Sequence, residues 1–342
     1  MILEFYKIYM EERGMKKIPE RIHLANLPTK IEKLENLTKE LGGPNIYVKR
    51  DDQTGSEMSG NKIRKLEFAI KEALDQNCDY LITCGGIQSN HARATAAAAA
   101  KLGLGAYLVL RGTGDDPIDG NLFLNKLLGA EIELISADEY SNHRAEIMER
   151  IKDELEKKGH KAYIIPEGAS NGIGTFGYFN AMEEIIEQEK AMGVHFDAIV
   201  LAVGSGGTYG GVFLANKMME NNAAIYGVNV AASAEYFQDK IIEILKESDS
   251  YLETGIGISK EEIKIIDGYV GRGYALSRQE ELDFIHKLAK LEGLILDPVY
   301  TGKAMYGLVN EIQKGSFENH KNILFIHTGG LFGLFPQKEL FF

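Results

Sequence analysis

The sequence lacks several features that define other classes of protein. It contains no stretch of 18 consecutive apolar residues, so we expect neither a transmembrane helix nor a membrane partner. It has only two cysteines, Cys78 and Cys84, six residues apart in a strand-like segment. Such sparse cysteines are typical of buried thiols in a reducing compartment rather than of a disulfide framework. No Cys-x-x-Cys or His-x-x-x-His pair occurs, so we expect no metal site.

An excess of positive charge is also absent. The net charge of −12 argues against nucleic acid as the main partner. The first residues, MILEFYKIYMEERGMKK, are too charged for a secretory signal peptide, and with the thiols they suggest a cytoplasmic location. The 342 residues, 44% of them hydrophobic, are more than one small core needs, so we expect two domains.

Short apolar runs alternate along the chain with amphipathic helical patterns. The strand candidates are NIYVKR, YLITCG, GAYLVLRG, EIELIS, AYIIPEG, AIVLAVGSG, AIYGVNVA and NILFIHTGG. The helix candidates are 61–76, 90–102, 119–128, 138–158, 174–192, 208–220, 236–247, 278–291 and 300–313. This alternation, with nearly continuous apolar strands, predicts an α/β fold with mainly parallel sheets covered on both faces.

Several predicted strands end in glycine-rich turns, namely CGGIQSNH, PEGASNG, VGSGGTYGG and HTGGLFG. In parallel α/β folds ligands bind beyond the carboxyl ends of the strands, where glycine lets the backbone approach a ligand closely. A surface turn needs only one or two glycines. So many glycines after strands therefore indicate a ligand cleft built from several loops.

The loop Gly204–Thr208 joins a predicted strand to a predicted helix, a setting in which backbone N–H groups can cradle an anion. A dinucleotide fingerprint would need glycine where Tyr209 stands, and no Gly-Lys-Ser/Thr follows as in a nucleotide P-loop. A ligand-free structural turn is the alternative, at the cost of several conformationally free glycines. We interpret the loop as a site for a single phosphate.

Three cations, Lys62, Arg64 and Lys65, follow a Gly-Asn pair at the start of the helix predicted over 61–76. Cations are mildly unfavourable at a helix N-terminus. They are either solvated surface charges, or they mark a bound anion or a reactive amine.

The segment GASNG also matches the Gly-x-Ser-x-Gly elbow of α/β-hydrolases, with Ser170 as nucleophile and His327 later in the chain. That elbow requires a helix directly after the serine. Because two more glycines follow in NGIGTFGYF, we do not expect a helix there and we disfavour the hydrolase interpretation.

Six segments in order, SGNKIRKLEF, GGIQSNHARATA, PEGASNGIGTFGY, VGSGGTYGG, LDPVYTGKAMYGL and HTGGLFG, resemble the pyridoxal-phosphate enzymes of the tryptophan-synthase β-like fold, fold type II. More narrowly, they resemble the D-cysteine desulfhydrase and 1-aminocyclopropane-1-carboxylate (ACC) deaminase family, from about residue 20 to the end. The resemblance implies a two-domain α/β/α fold. The smaller domain would span 55–165 and the larger cofactor-binding domain 1–54 plus 166–342.

The resemblance also implies site residues for pyridoxal 5′-phosphate. Lys62 corresponds to the lysine that forms the internal Schiff base, and Lys65 to the lysine that helps to hold the phosphate. Asn90 matches the asparagine that hydrogen-bonds the phenolic oxygen. The phosphate cradle would be formed by Gly204, Ser205, Gly206, Gly207 and Thr208. Desolvation and the neighbouring cations Arg64 and Lys65 are expected to lower the pKa of Lys62.

On the substrate side, the resemblance places Ser89, Asn90 and His91 near the substrate carboxylate and Cα. In ACC deaminases the corresponding segments read Tyr-Glu-Gly and His-Leu-Gly-Gly, whereas this chain has Thr301 and Thr328 at the two differing positions, as in the desulfhydrases. The hydroxyl of Thr328 would then face the pyridine nitrogen, and Thr301 would lie near the substrate.

The expected activity is β-elimination on a D-amino acid by a homodimeric lyase, with D-cysteine giving pyruvate, ammonia and hydrogen sulfide. The Cα proton would be removed by Lys62, Tyr274 or Tyr300. Two alternatives stay open. One is ACC deamination or another elimination of the family, such as that of cysteate sulfo-lyase. The other is a non-catalytic pyridoxal-phosphate carrier, which would not need Ser89 or the two tyrosines.

Overall fold

The computed structural model describes residues 17–342, and these form an α/β fold with two sheets. The strands are β1 (Ile31–Lys33), β2 (Asn45–Lys49), β3 (Tyr80–Gly86), β4 (Gly105–Arg111), β5 (Glu131–Ile135), β6 (Ala162–Ile164), β7 (Ala198–Val203), β8 (Ala224–Asn229), β9 (Lys264–Ile266) and β10 (Asn322–Ile326). No helix in this part of the chain is both long and apolar enough to cross a membrane.

Helices connect nearly all of these strands. They are α1 (Glu35–Leu41), α2 (Asn61–Asp75), α3 (Asn90–Leu102), α4 (Gly120–Leu127), α5 (Ala137–Asn142), α6 (Arg144–Lys157), α7 (Gly172–Met192), α8 (Gly207–Met218), α9 (Ala234–Leu252), α10 (Gln279–Glu292), α11 (Thr301–Gln313) and α12 (Leu331–Leu334). The pattern predicted one helix over 138–158, whereas the structure has two that meet at His143.

The larger sheet has the order β1-β2-β10-β7-β8-β9, and the smaller one β5-β4-β3-β6. Every strand pair is parallel except β1 with β2. The central strands β7 and β10 are apolar and buried on both faces, as a sheet covered by helices on both sides requires. The predicted α/β fold with mainly parallel sheets is therefore confirmed.

Helix α7 lies against α2 and α8, and its glycines allow that close approach. A Cβ atom on Gly177 would collide with the carbonyl oxygen of Arg64 in α2. A Cβ on Gly211 of α8 would collide in the same way with the carbonyl oxygen of Thr175 in α7. The packing of α2 on α7 joins residues on both sides of 165, and the domain boundaries at 55 and 165 stay a prediction.

The predicted burial of the two thiols is confirmed. Cys78 and Cys84 are both buried and unpaired. Burial raises the pKa of the Cys84 thiol to about 11, so it stays protonated and inert at neutral pH.

Candidate active site

A cavity of about 590 Å³ opens where the carboxyl ends of β3, β4 and β7 face the N-termini of α2, α3 and α8. Its wall combines glycine turns with polar and aromatic side chains. The residues that line it include Asn61, Lys62, Gly86, Ser89, Asn90, His91, Arg111, Tyr140, Arg144, Glu167, Gly168, Gly204, Ser205, Gly206, Thr208, Tyr274, Tyr300 and Thr328. Eleven of the fourteen site residues predicted from the sequence therefore line one cavity.

The start of α2 is positioned by the turn that follows β10. The Asn61 N–H donates to the carbonyl oxygen of Thr328 at 3.1 Å. Gly60 has φ +102°, and a Cβ there would lie 2.7 Å from that same carbonyl oxygen. Only glycine fits this close approach without strain. The contact sets Lys62, two residues on, in the cavity wall.

The Lys62 amine is held in an environment that favours its neutral form. Burial lowers its pKa to about 8, and the carboxylate of Glu167 opposes that effect. Burial, followed by the charge of Lys62, lowers the pKa of Lys65 well below its usual value. The prediction that the neighbouring cations Arg64 and Lys65 lower the pKa of Lys62 was wrong. The contact with Lys65 raises that pKa. The Arg64 guanidinium turns the other way and pairs with Asp51 at 2.8 Å.

The glycine loop after β7 forms the concave end of the cavity. Gly206 has φ +89° and lets the chain turn directly into α8. Ser205 Oγ lies 2.8 Å from Ser170 Oγ, which in turn accepts a hydrogen bond from Lys65 Nζ at 3.1 Å. Thr208 Oγ1 accepts from Asn61 Nδ2 at 3.0 Å. The loop thus presents hydroxyl and backbone donors at a helix N-terminus, as a phosphate site requires.

Lys65 and Gly207 belong to this end of the cavity but do not line it. Lys65 is fully buried behind the loop and is linked to it by hydrogen bonds through Ser170 and Ser205. The family resemblance implied that Lys65, one turn after Lys62 on the same helix face, helps to hold the phosphate. The structure adds a serine layer between Lys65 and the cavity.

Helix α3 brings three predicted residues to the wall. Ser89 is its N-cap and accepts from the Ala92 N–H at 3.1 Å, which leaves the Ser89 hydroxyl proton free to donate. Asn90 Oδ1 accepts from Asn121 Nδ2 at 3.0 Å, so the amide nitrogen of Asn90 remains available as a donor. Asn121 is a positioning residue that no local pattern indicates, since it lies on α4.

His91 is oriented by a buried chain of hydrogen bonds. Thr83 Oγ1 donates to the carbonyl oxygen of Ile165, so at 2.8 Å it must accept from His91 Nε2. This network assigns the proton to Nε2 and leaves Nδ1 unprotonated. Burial, with the charges of Lys62 and Lys65, lowers the pKa of His91 well below its usual value. His91 is therefore neutral, and its Nδ1 is a buried acceptor without a partner among residues 17–342.

Two tyrosines form the opposite wall. The hydroxyl groups of Tyr274 and Tyr300 are hydrogen-bonded to each other. Burial raises the pKa of both phenols, and that of Tyr300 most strongly. Both side chains are therefore protonated donors at neutral pH rather than bases. Thr328 lines the cavity, and its hydroxyl has no hydrogen-bond partner within the described chain.

Thr301 was predicted to contact the substrate, but the structure places it outside the cavity. It is fully buried at the start of α11, and its hydroxyl donates to Asp297 Oδ1 at 2.6 Å. The same carboxylate accepts the Thr301 N–H, while its other oxygen accepts the Tyr300 N–H. The Thr301 hydroxyl thus closes a turn that holds Tyr300, and the prediction of direct contact has no support in this geometry.

The hydrolase alternative also fails, although not for the reason given from the sequence. Helix α7 starts at Gly172, directly after Ser170 and its neighbour Asn171, because its glycines serve packing and do not delay the helix. However, both ring nitrogens of His327 are used elsewhere. Nε2 lies 3.0 Å from the Ile295 carbonyl oxygen, and Nδ1 accepts from the Gly329 N–H. No base is therefore available to Ser170 from His327.

Several wall residues were missed by the sequence analysis, chiefly Arg111, Tyr140, Arg144 and Glu167. Arg111 ends β4 and Glu167 follows β6, so the carboxyl-end rule for parallel strands could have indicated both. Tyr140 and Arg144 flank the break between α5 and α6, which the pattern presented as one helix.

The cavity fits pyridoxal phosphate in shape and chemistry. A Cβ on Gly168 would lie 2.9 Å from Ser205 Oγ and 3.4 Å from Lys62 Nζ, so this glycine keeps open the space between the amine and the loop. An amine, an anion cradle, an amide donor and a free hydroxyl surround that space, contributed by Lys62, the loop 204–208, Asn90 and Thr328. These match an aldehyde, a phosphate, a phenolic oxygen and a ring nitrogen.

Comparison with known proteins agrees with this fit. Residues 22–329 match a family described as pyridoxal-phosphate dependent enzymes. The chain is 45% identical over 326 residues to a mitochondrial bifunctional D-cysteine desulfhydrase/ACC deaminase of Arabidopsis thaliana, covering 92% of this chain and 79% of that protein. It is 38% identical to a D-cysteine desulfhydrase of Klebsiella pneumoniae, covering 95% and 98%. A crystal structure of an ACC deaminase homologue superposes with TM-score 0.86 at 40% identity, covering 95% and 96%.

Proposed function

The chain belongs to the family of pyridoxal-phosphate dependent enzymes, and from this premise we propose that it eliminates hydrosulfide from D-cysteine. The products are pyruvate, ammonia and hydrogen sulfide. The observation that carries the choice of reaction is the unpartnered hydroxyl of Thr328 in the cavity wall. A hydroxyl beside the pyridine nitrogen leaves that nitrogen neutral, which suits the loss of a group that takes its electrons with it.

Binding of the cofactor uses groups that are already in place. Lys62 would carry it covalently, and the loop 204–208 would receive its phosphate with Ser205 and Thr208 as hydroxyl donors. Lys65 would support Ser205 through Ser170. The free amide nitrogen of Asn90 would donate to the phenolic oxygen. When bound, pyridoxal phosphate withdraws electrons from the Cα of the amino acid attached to it.

Different residues around the substrate would bind it and transfer its proton. The first turn of α3 offers backbone N–H groups and the Ser89 hydroxyl to the substrate carboxylate. Lys62, with a pKa near 8, is partly neutral at neutral pH and can accept the Cα proton. The tyrosine pair is protonated and therefore donates hydrogen bonds. This difference favours Lys62 as the base over either tyrosine.

ACC deamination is the second candidate, favoured by the ACC deaminase homologue among the structural neighbours. Opening the cyclopropane ring expels no thiolate, so the electrons must be held elsewhere. The cavity wall of the described chain has one carboxylate, that of Glu167, and it raises the pKa of Lys62. We therefore place Glu167 on the amine side of the cavity. The homodimer and the cytoplasmic location stay predictions.

A substrate panel tests this proposal. Purified holoenzyme should produce pyruvate from D-cysteine faster than from L-cysteine, D-serine or L-cysteate, and little 2-oxobutyrate from ACC. Faster turnover of ACC than of D-cysteine would overturn the choice of substrate and leave the cofactor assignment standing. Absence of keto acid from every compound, in a protein that binds pyridoxal phosphate, would favour the carrier instead.

A further inference from the structure

Arg111 stands out among the residues of the cavity. It is the last residue of β4, and its register partner on β3 is Gly86, three residues before Ser89. Its guanidinium lies over two aromatic rings, with its central carbon 5.6 Å from the ring centre of Tyr140 and 5.9 Å from that of Tyr274. A Cβ on Gly86 would lie 3.9 Å from Arg111 Nη2. The charged group is therefore placed between the tyrosine wall and the start of α3.

The Arg111 guanidinium has no hydrogen-bond acceptor and no carboxylate partner among residues 17–342. Several other arginines among residues 17–342 are engaged. Arg64 pairs with Asp51, Arg150 pairs with Glu133, and Arg144 donates to the carbonyl oxygen of Tyr140. A half-buried guanidinium loses hydration, and ring faces replace only part of it. Stacking on ring faces leaves the N–H groups at its edge free for a ligand.

We propose that Arg111 receives the anionic group that leaves the β-carbon of the substrate. This inference rests on the proposed function and adds to it a residue for the bond-breaking step. The Cα–H bond breaks and its proton passes to a base. The electron pair forms the second bond between Cα and Cβ. The Cβ–S bond breaks, and its pair departs with sulfur as hydrosulfide, an anion that the guanidinium stabilises.

The substrate carboxylate is the other anion that Arg111 could bind, and the structure argues against it. The start of α3 already supplies backbone N–H donors and the Ser89 hydroxyl for a carboxylate. In contrast, among the described residues the Arg111 guanidinium is the one positively charged group that lies over the Tyr274 ring. A full positive charge beside that ring can stabilise a departing thiolate.

The decisive experiment compares leaving groups. Chloride is a far weaker base than hydrosulfide and needs little stabilisation, while β-chloro-D-alanine and D-cysteine share the same carboxylate and amine. In the Arg111→Met holoenzyme, we expect kcat/KM for D-cysteine to fall about 100-fold and that for β-chloro-D-alanine to fall less than about threefold. Arg111→Lys, which keeps the charge, should recover part of the loss. Arg150→Met, which removes an exposed arginine on α6, is the control and should leave kcat/KM unchanged for both substrates.

A binding measurement provides a readout that does not depend on turnover. By calorimetry, wild-type holoenzyme should bind 3-sulfopropionate about tenfold more tightly than butanoate, and Arg111→Met should abolish that preference. Equal losses for both substrates would overturn the inference and assign Arg111 to the carboxylate or to folding. Unchanged kinetics with an unchanged preference would also overturn it. If the wild type releases chloride but no sulfide, the proposed substrate fails, and the binding preference still decides the role of Arg111.

Discussion

Helix α2 carries cations in two opposite environments. On one side, Arg64 is fully buried and its guanidinium contacts Asp51 at 2.8 Å and Glu184 at 3.0 Å. On the other side, Lys62 lines the cavity and Lys65 lies behind the glycine loop, with no carboxylate in hydrogen-bond contact within the described chain. The paired cation keeps its charge and fixes the helix. The unpaired amines lose charge through burial, and this makes Lys62 reactive.

The difference between the two environments predicts the largest effect for substitution of Lys62. Lys62→Ala should reduce turnover by at least about a thousandfold, because it removes both the covalent attachment and the proposed base. Borohydride treatment followed by peptide mass mapping should find the reduced cofactor on Lys62 in the wild type and on no lysine in the variant. Lys71→Ala, which removes a partly exposed lysine of the same helix, is the control. A reduced adduct on Lys49 would contradict the assignment.

The opposite side of the helix should respond in stability. Arg64→Met leaves Asp51 buried beside Tyr178 without its main partner, so we expect the free energy of unfolding to fall by about 3–5 kcal/mol. Denaturant titration measures the free energy of unfolding. Arg150→Met, which breaks an exposed ion pair with Glu133, should lower it by less than about 1 kcal/mol. If both variants lost the same amount, the contrast between the two environments would be wrong.

Lys65 has no carboxylate partner among the described residues and yet does not line the cavity, so its substitution tests how an unpaired buried amine acts on the cofactor from a distance. Lys65→Ala should weaken cofactor binding by about 1.5–3 kcal/mol, with little effect on turnover in cofactor-saturated enzyme. If Lys65 acts through Ser170, then Ser170→Ala should weaken cofactor binding to a similar degree. Equilibrium dialysis of the cofactor tests both variants. A normal affinity in both would place the phosphate away from the loop 204–208.

The smallest effect concerns pH. A lysine pKa lowered to about 8 means that the neutral amine rises from about a tenth at pH 7 to about nine tenths at pH 9. The rate at which cofactor-free protein captures pyridoxal phosphate should therefore rise about tenfold over this range and then level off. A free lysine in solution should show a rate that rises until about pH 10.5. A midpoint near 10.5 in the protein would show that Lys62 is not desolvated.

Local pattern predicted most of the regular structure and the residues that follow strands. Helix α3 was predicted with the bounds that the structure shows, and the bounds of α2 and α11 differ by one residue. Short segments without strong periodicity, β1, α1 and β9, were missed. The start of α7 was placed two residues too late, because glycine is a poor helix former in isolation. Its glycines are required by α2 and α8, which the local sequence does not reveal.

The site residues also fall into those that short motifs indicate and those that only tertiary contacts place. Lys62, Asn90 and the glycine loop were identified because their chemistry is carried by short motifs. Arg111 and Asn121 have no such motif, since each acquires its place from a neighbouring strand or helix. Thr301 was misassigned because its motif position says nothing about Asp297, whose carboxylate takes up its hydroxyl in the turn.

The amino-acid sequence predicted the α/β alternation and the glycine loops at strand ends, which follow from periodicity and turn chemistry and are local. Its resemblance to a known family implied the lysine that would carry the cofactor and the role of the hydroxyl at position 328. Which cations are paired depends on the tertiary structure, and the pairing in turn determines which of them keep their charge. Arg64 and Lys65 are adjacent in the chain, but the first meets Asp51 and the second meets Ser170. Desolvation and partner distance are properties of the packed fold, and they separate a structural cation from a reactive amine.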